Sequence, residues 1–336
     1  MTQKVDFMIG NVPVSGLVAL APMAGITDVV FRKLAYRYGA AFTVSEMVAT
    51  KEFIKGSTGA LLRAEMTDDI PQVIQVSGCD AVSMAEVAKM AEAMGAHVVD
   101  INMGCPSKKV VGGLAGSALM RDLDLATQII TCVVQAVKIP VTLKMRLGWD
   151  ETSINADQLA HIAQEQGVSC VTVHGRTRNQ KYHGKADWKA IGKLIRGITI
   201  PVIANGDIVT VQNARECLKM TNSQALMIGR AAIGKPWLPG MIDKGLREKE
   251  NTCFDIKEKI CIMTELYEGI LGFYGRQTGI RHARKHLAVF VKDLQCEGYN
   301  IEKDEIFKVL TLENPDYVLK ILSRWGHEAE IPIING

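Results

Sequence analysis

Between Asp100 and Val110 the chain reads Asp-Ile-Asn-Met-Gly-Cys-Pro-Ser-Lys-Lys-Val, which puts an amide (Asn102), a thiol (Cys105) and two ammonium groups (Lys108, Lys109) side by side. The apolar run His97-Val98-Val99 precedes them and reads as the start of a buried strand. Gly104 and Pro106 flank the thiol and force the chain off the strand axis, so Cys105 sits on a turn where it can face a ligand. A thiol has a reference pKa of about 8.5, so at neutral pH it is mostly protonated and can donate a proton without a depressed pKa or an adjacent base. That separates this role from a nucleophilic cysteine, which needs the thiolate. The competing reading is an inert buried cysteine, the usual fate of the residue; the polar neighbours and turn residues favour the functional one.

Similar polar groups end the other short apolar runs. Ala21-Pro22-Met23-Ala24-Gly25 and Ser45-Glu46-Met47 close the first two, and Gln75 closes the third. Lys144 and Arg146 stand on the fifth, His174 and Arg176 on the sixth, Asn205-Gly206-Asp207 on the seventh and Gly229-Arg230 on the eighth. Each alone has a bland reading: a paired barrel lysine, a satisfied core histidine, a tight Asn-Gly turn. So many polar strand ends exceed what packing needs, and a shared pocket explains them together.

The elements that must position these groups are eight β-rich runs: Leu17–Met23, Phe42–Met47, Gln72–Ser77, His97–Met103, Val141–Leu147, Cys170–His174, Val202–Ala204 and Ala225–Ile228. Most lack strict alternation, as strands buried on both faces do. Helical patterns lie between many of them: Asp28–Tyr38 with Thr27 as N-cap, Asp80–Met94, Asp122–Val137, Ile154–Gln166, Trp188–Ile195 and Val211–Met220. Eight strands with helices over roughly 230 residues fit an α/β fold, a (β/α)₈ TIM barrel, whose typical length is about 250 residues. No Gly-x-Gly-x-x-Gly turn follows a strand, which argues against a dinucleotide-binding doubly wound sheet. In such a barrel the active site collects the C-terminal strand ends, and phosphate often binds the loops after strands seven and eight. Gly206 and Gly229 expose backbone N–H groups there, and Arg230 adds charge, so a phosphorylated cofactor fits. Lys144 suits a group that gains negative charge in turnover, such as the N1–C2=O edge of a reduced flavin.

Beyond about residue 245 strand patterns vanish and the helical runs Ile256–Leu271, Gly279–Leu294, Lys303–Leu312 and Pro315–Trp325 follow. The expected division is a catalytic barrel over residues 1–245 and an all-helical domain over 246–336. A formal net charge of +3 on 336 residues is too small to demand a nucleic-acid partner, so any basic site must be local. The stretch from Arg276 to His286 is one: Arg276, Arg281, Arg284 and Lys285 with no acid. The eight cysteines form no Cys-x-x-Cys pair and no Cys/His ligand spacing, which argues against zinc, iron–sulfur clusters and a disulfide framework. Apolar runs break well short of a spanning helix, and a reducing cytoplasm is the expected location.

These ordered segments resemble the tRNA-dihydrouridine synthases, most closely their bacterial B-type branch. The matching pieces are Ala21–Asp28, Ser45–Met47, Asn102–Pro106, Ala115–Met120, Lys144–Trp149, His174–Thr177, Asn205–Asp207, Gly229-Arg230 and Arg284–Leu287. The resemblance implies an FMN-binding barrel and a helical domain with tRNA held between them. It also implies reduction of the uracil C5=C6 bond with NADPH (or NADH) as electron source. Carried over, Pro22, Met23, Ala24, Gln75, Lys144 and His174 would line the flavin, and Asn205, Gly206, Asp207, Gly229 and Arg230 would hold its phosphate. Cys105 would be the proton donor and Asn102 would lie near the base. Lys108, Lys109, Arg176, Arg178, Arg281, Arg284 and Lys285 are the candidates for gripping tRNA. Two alternatives are an FMN barrel enzyme acting on a small pyrimidine and a non-catalytic RNA-binding regulator; retention of Cys105, Lys144 and the phosphate-loop residues argues against the second.

Overall fold

The computed structural model describes residues 4–67, 71–248 and 253–328. Two short strands, β1 (Phe7–Ile9) and β2 (Val12–Val14), form an antiparallel hairpin. The barrel strands are β3 (Val18–Leu20), β4 (Val48–Ala49), β5 (Val73–Ser77), β6 (Val98–Met103), β7 (Val141–Arg146), β8 (Cys170–His174), β9 (Val202–Asn205) and β10 (Ala225–Ile228). On the crossovers lie α1 (Val29–Arg37), α2 (Thr50–Ile54), α3 (Thr58–Arg63), α4 (Ala81–Ala93), α5 (Lys108–Gly112), α6 (Leu123–Ala136), α7 (Ala156–Glu165), α8 (Trp188–Ile195) and α9 (Val211–Thr221). After the last strand come α10 (Leu238–Arg247), α11 (Ile256–Tyr274), α12 (Arg276–Cys296), α13 (Lys303–Thr311) and α14 (Pro315–Glu328).

All barrel pairings are parallel, in the order β3-β10-β9-β8-β7-β6-β5-β4. A parallel bridge from Leu20 to Thr43 and the bond from Leu20 N to Phe42 O (3.0 Å) close the ring on the other side. The expected (β/α)₈ barrel is therefore present. The second strand differs from the expected Phe42–Met47: that run holds only isolated bridges at Thr43 and Val44, and the strand itself is Val48–Ala49, because Ser45 Oγ takes the Gln75 N–H at 3.0 Å where a backbone carbonyl would continue the ladder. Thr27 does not cap α1. Its hydroxyl accepts from Met23 N at 2.8 Å and closes the first pocket loop, while Asp28 caps the helix by accepting from Phe31 N at 2.9 Å.

The hairpin, absent from the expected elements, plugs the N-terminal mouth. Phe7, Ile9 and Val14 are buried in one cluster with Ala19, Val73, Val98, Cys170, Ile203 and Ala225 from the strands. Burying such side chains stabilises the fold by roughly 1.5–3 kcal/mol each and closes that end, so a ligand enters only at the C-terminal mouth.

α10 runs through the expected division at residue 245–246 and is tied back to the barrel, since Leu17 N donates to Asp243 and Arg247 pairs with Asp6 at 2.7 Å. Helices α11–α14 dock on this side of the ring. Phe31 of α1 stacks on His286 with centroids 4.9 Å apart, Trp237 meets Phe290 edge-on at 6.3 Å, and Lys235 pairs with Asp293 at 2.7 Å. Among the described residues no helix is long and apolar enough to cross a membrane.

Candidate active site

A cavity of about 840 Å³ opens at the C-terminal mouth, lined by residues on or after every barrel strand but β4 and by Met47, which precedes β4. Pro22, Met23, Ala24, Gln75, Asn102, Cys105, Lys108, Lys144, His174, Asn205, Gly206, Asp207, Gly229 and Arg230, all expected at the site, are brought together there. Strand register explains the grouping. Asn102 pairs with Lys144, and two residues further along β7 Arg146 pairs with His174 and His174 with Asn205, so these side chains stand in two successive rows at the barrel top.

Cys105 is half-buried on its turn. Asn102 Oδ1 accepts from Gly104 N (3.1 Å) and Cys105 N (3.0 Å), a side-chain-closed turn that Asn favours. Behind it, the Cys105 carbonyl accepts from Ser117 N (3.1 Å) and Ser117 Oγ (2.8 Å), and Arg146 Nε donates to Gly104 O at 2.8 Å. The loop is thus held from three sides. Burial pushes the Cys105 thiol above its ordinary pKa, and the nearby Arg146 and Lys144 oppose this only in part, so the neutral S–H is the resting form.

A buried relay supports Asn102. Thr142 Oγ1 donates to Asp100 Oδ1 (2.6 Å), Gln75 Nε2 donates to Asp100 Oδ2 (2.8 Å), and Asn102 Nδ2 donates to Gln75 Oε1 (2.7 Å). Burial raises the Asp100 pKa against these bonds. Nothing in sequence spacing pointed to Asp100 or Thr142 as the anchor of the thiol loop, nor to Ser117 as its backing.

Lys144 Nζ donates to Asn205 Oδ1 at 3.0 Å, while Asn205 Nδ2 donates to Met227 O at 2.7 Å. Burial, helped by Arg146, lowers the Lys144 pKa to about 8, so it carries its charge at neutral pH but holds it weakly until an anion arrives. Burial pushes His174 well below its ordinary range, and the cations Arg146 and Lys144 add to the shift. Its ring is neutral. Arg176 Nη1 lies 3.3 Å from Nε2; a guanidinium can only donate, so Nε2 accepts and Nδ1 carries the proton.

Three expectations change here. Arg176 is buried rather than free for a partner: Nε donates to His183 O (3.0 Å), and Nη2 to Gly184 O (2.7 Å) and to both Asp207 oxygens (2.8 and 2.6 Å). Asp207 is the counter-charge of Arg176, with Arg230 a further 3.7 Å away, and it accepts from Ala186 N at 2.7 Å; a carboxylate so placed organises cations and would repel a phosphate. Arg284 Nη2 donates to Thr311 O (2.7 Å) and Leu312 O (3.2 Å), which caps the end of α13. Of the other cations, Lys108, Lys109 and Arg281 are exposed, Arg178 is half-buried beside Trp149, and Lys285 Nζ donates to Gly25 O at 3.1 Å. Sequence reasoning also missed Lys181 and Tyr182 on the cavity wall; Arg230 lies 4.3 Å from the Tyr182 ring centroid. They occupy a polar loop without periodicity, so no sequence signal marks them.

Residues 19–322 match the family model described as dihydrouridine synthase. A Rickettsia conorii protein described as "Probable tRNA-dihydrouridine synthase" is 48% identical over 289 residues, 85% of this chain and 87% of its own. The tRNA-dihydrouridine synthase B of Pasteurella multocida is 40% identical over 313 residues, 91% of this chain and 94% of its own. Among solved structures, histamine dehydrogenase from Rhizobium sp. 4-9 superposes with a TM-score of 0.53 at 11% identity, over 78% of this chain and 50% of that one, a likeness of fold alone.

Proposed function

The chain belongs to the dihydrouridine synthase family, on its bacterial B-type branch, and acts on uridine in tRNA; we propose that it does so with FMN bound in the barrel mouth and with NADPH (or NADH) as the source of electrons. The observation that carries this reading is the convergence in one cavity of a protonated thiol, a buried ammonium and a cradle of glycines beside an arginine. The residues fit a flavin mononucleotide. Gly206 lines the cavity with φ +119°, and a Cβ there would lie 2.8 Å from Ala186 Cβ and 2.9 Å from His174 Cδ2, so both the turn and the packing behind it demand glycine at this wall of the mouth. Arg230 supplies the charge and Gly229 a second open backbone position, with Lys144, Gln75 and the Pro22–Ala24 loop left for the ring system. A reduced flavin supplies a hydride.

The chain's own residues do the rest. The C5=C6 bond of uracil is conjugated to the C4 carbonyl, so hydride addition at C6 sends charge toward O4 and leaves C5 in need of a proton. Cys105 Sγ–H gives that proton, and its thiolate recovers one from solvent before the next turnover. Hydride and proton together are the two electrons and two hydrogens of dihydrouridine. The base must leave its stack to reach the cavity, so the enzyme needs backbone grip more than base readout. We assign the catalytic part to the barrel with α10, the tRNA-holding part to α11–α14 together with Lys108 and Lys109, and the reaction to the cytoplasm.

Dihydrouridine mapped by mass spectrometry in tRNA from cells with and without the gene tests the reading, alongside the visible spectrum of the purified protein. Loss of specific dihydrouridines and a yellow protein are expected; unchanged tRNA and a colourless protein would overturn it. For the cradle, Arg230→Ala should weaken flavin retention by removing a phosphate charge, and Gly206→Val should abolish it by straining the turn and pushing against Ala186 and His174, which displaces the cavity wall. The flavin-to-protein absorbance ratio after gel filtration reads this. Full occupancy in both folded variants would move the phosphate elsewhere.

A further inference from the structure

Trp149 follows β7 on the rim of the mouth and gathers two arginines from different loops. Arg178, after β8, has its guanidinium carbon 4.4 Å from the ring centroid, and Arg121, which ends the segment behind the thiol loop, has its own at 4.8 Å. Both distances are those of cation–π contacts. The loops after β7 and β8 are tied together: Arg178 N donates to Gly148 O and Asn179 N to Trp149 O, each at 2.9 Å.

Among the described residues neither guanidinium pairs with a carboxylate. The acids next in sequence are committed elsewhere: Asp122 caps α6 by accepting from Leu125 N at 2.9 Å, and Asp150 closes its own turn on Thr152 and Ser153. Two guanidiniums on one indole with no carboxylate partner concentrate positive charge on this rim, which a polyanion can neutralise. Each fork can take its own backbone phosphodiester, whose single negative charge is shared by two oxygens.

The position matters as much as the charge. β7 is the fifth strand of the ring, so Trp149 stands across the mouth from the loop after β3, the first strand, which α12 reaches through Lys285 and Gly25. A polyanion laid across the mouth would meet the helical tail at one side and this arginine pair at the other.

We propose that Arg121 and Arg178, gathered on Trp149, form a phosphate clamp that holds the tRNA backbone on the rim opposite the helical tail; this rests on the tRNA reading above. The test is tRNA gel shifts at several salt concentrations with Arg121→Ala/Arg178→Ala, using flavin content to check folding. Each phosphate contact contributes about 0.7–0.9 to the slope of log affinity against log salt, so the double variant should show a slope shallower by about 1.5 and an affinity about tenfold weaker or worse. Its KM for tRNA should rise in parallel.

Lys138→Ala/Arg196→Ala removes two exposed cations from the closed end of the barrel and should bind as wild type does. Arg121→Gln guards against misfolding, because Arg121 is exposed; its slope should fall by about 0.8. Wild-type affinity and slope in a folded double variant, or an equal loss in the Lys138/Arg196 control, would remove the clamp while leaving the enzyme's function standing. A wild-type protein that binds no tRNA and makes no dihydrouridine would remove both.

Discussion

Cys105→Ala is expected to keep its flavin and its affinity for tRNA while reducing uridine about 10²–10⁴-fold more slowly, the usual loss for one positioned general acid. The binding terms should survive because the loop is held by backbone and by other side chains. Asn102 Oδ1 grips the Gly104 and Cys105 N–H groups, and Ser117 grips the Cys105 carbonyl. Only the proton at C5 is missing from the variant. The raised thiol pKa adds a second signature. A group held neutral by burial stays protonated as pH rises past its ordinary value, so donation by Cys105 should not fade between neutral pH and pH ~9, the ordinary thiol range. Single-turnover oxidation of the pre-reduced enzyme by tRNA measures both points, with gel shifts as the binding control. A near-wild-type rate would take Cys105 out of the mechanism, and a rate falling steeply from pH 7 would show a thiol that ionises early.

The barrel was legible because its strands are buried on both faces. Cys170–His174 and Ala225–Ile228 match their expected bounds residue for residue, since a run of Val, Ile and Cys between polar turns has few other uses. The β1–β2 hairpin was not legible. Three-residue strands broken by Gly10 and Pro13 carry too little pattern, and their role is to plug a mouth that only the closed ring creates. The site was legible as a set of residue types but not as a set of bonds. Strand-end position predicts that Cys105, Lys144, His174 and Asn205 meet, and they do line one cavity. What each polar atom donates to depends on partners tens of residues away, such as Asp100 with Thr142 or Arg284 with the end of α13. Arg176 illustrates the limit. In sequence it is a cation after a strand; in the fold it is buried and each of its three guanidinium nitrogens bonds inside the protein.

Asp207→Ala should therefore cost folding stability first and ligand binding only through it. Arg176 is 2% exposed at its side chain and its one close acid is Asp207, itself 30% exposed, at 2.6 Å. Removing the carboxylate strands a permanent positive charge where water cannot reach it, which costs about 3–5 kcal/mol when one partner of a buried pair is lost. The same change frees the Ala186 N–H, so the loop from Gly175 to Asp187 loses an anchor at each end. Asp207→Asn keeps an acceptor for Arg176 without the charge and should lose less. Arg176→Met/Asp207→Ala removes both charges and should recover most of the difference, because an apolar side chain of similar length tolerates that site. Urea midpoints for the three variants, at unchanged m-value, give the comparison. A double variant no better than Asp207→Ala would mean that the loop anchor matters more than the stranded charge. A loss from Asp207→Ala within the roughly 1 kcal/mol of an exposed ion pair would mean that water reaches Arg176 after all. Asp207 would then be free for the ligand-facing role that its place after the seventh strand first implied.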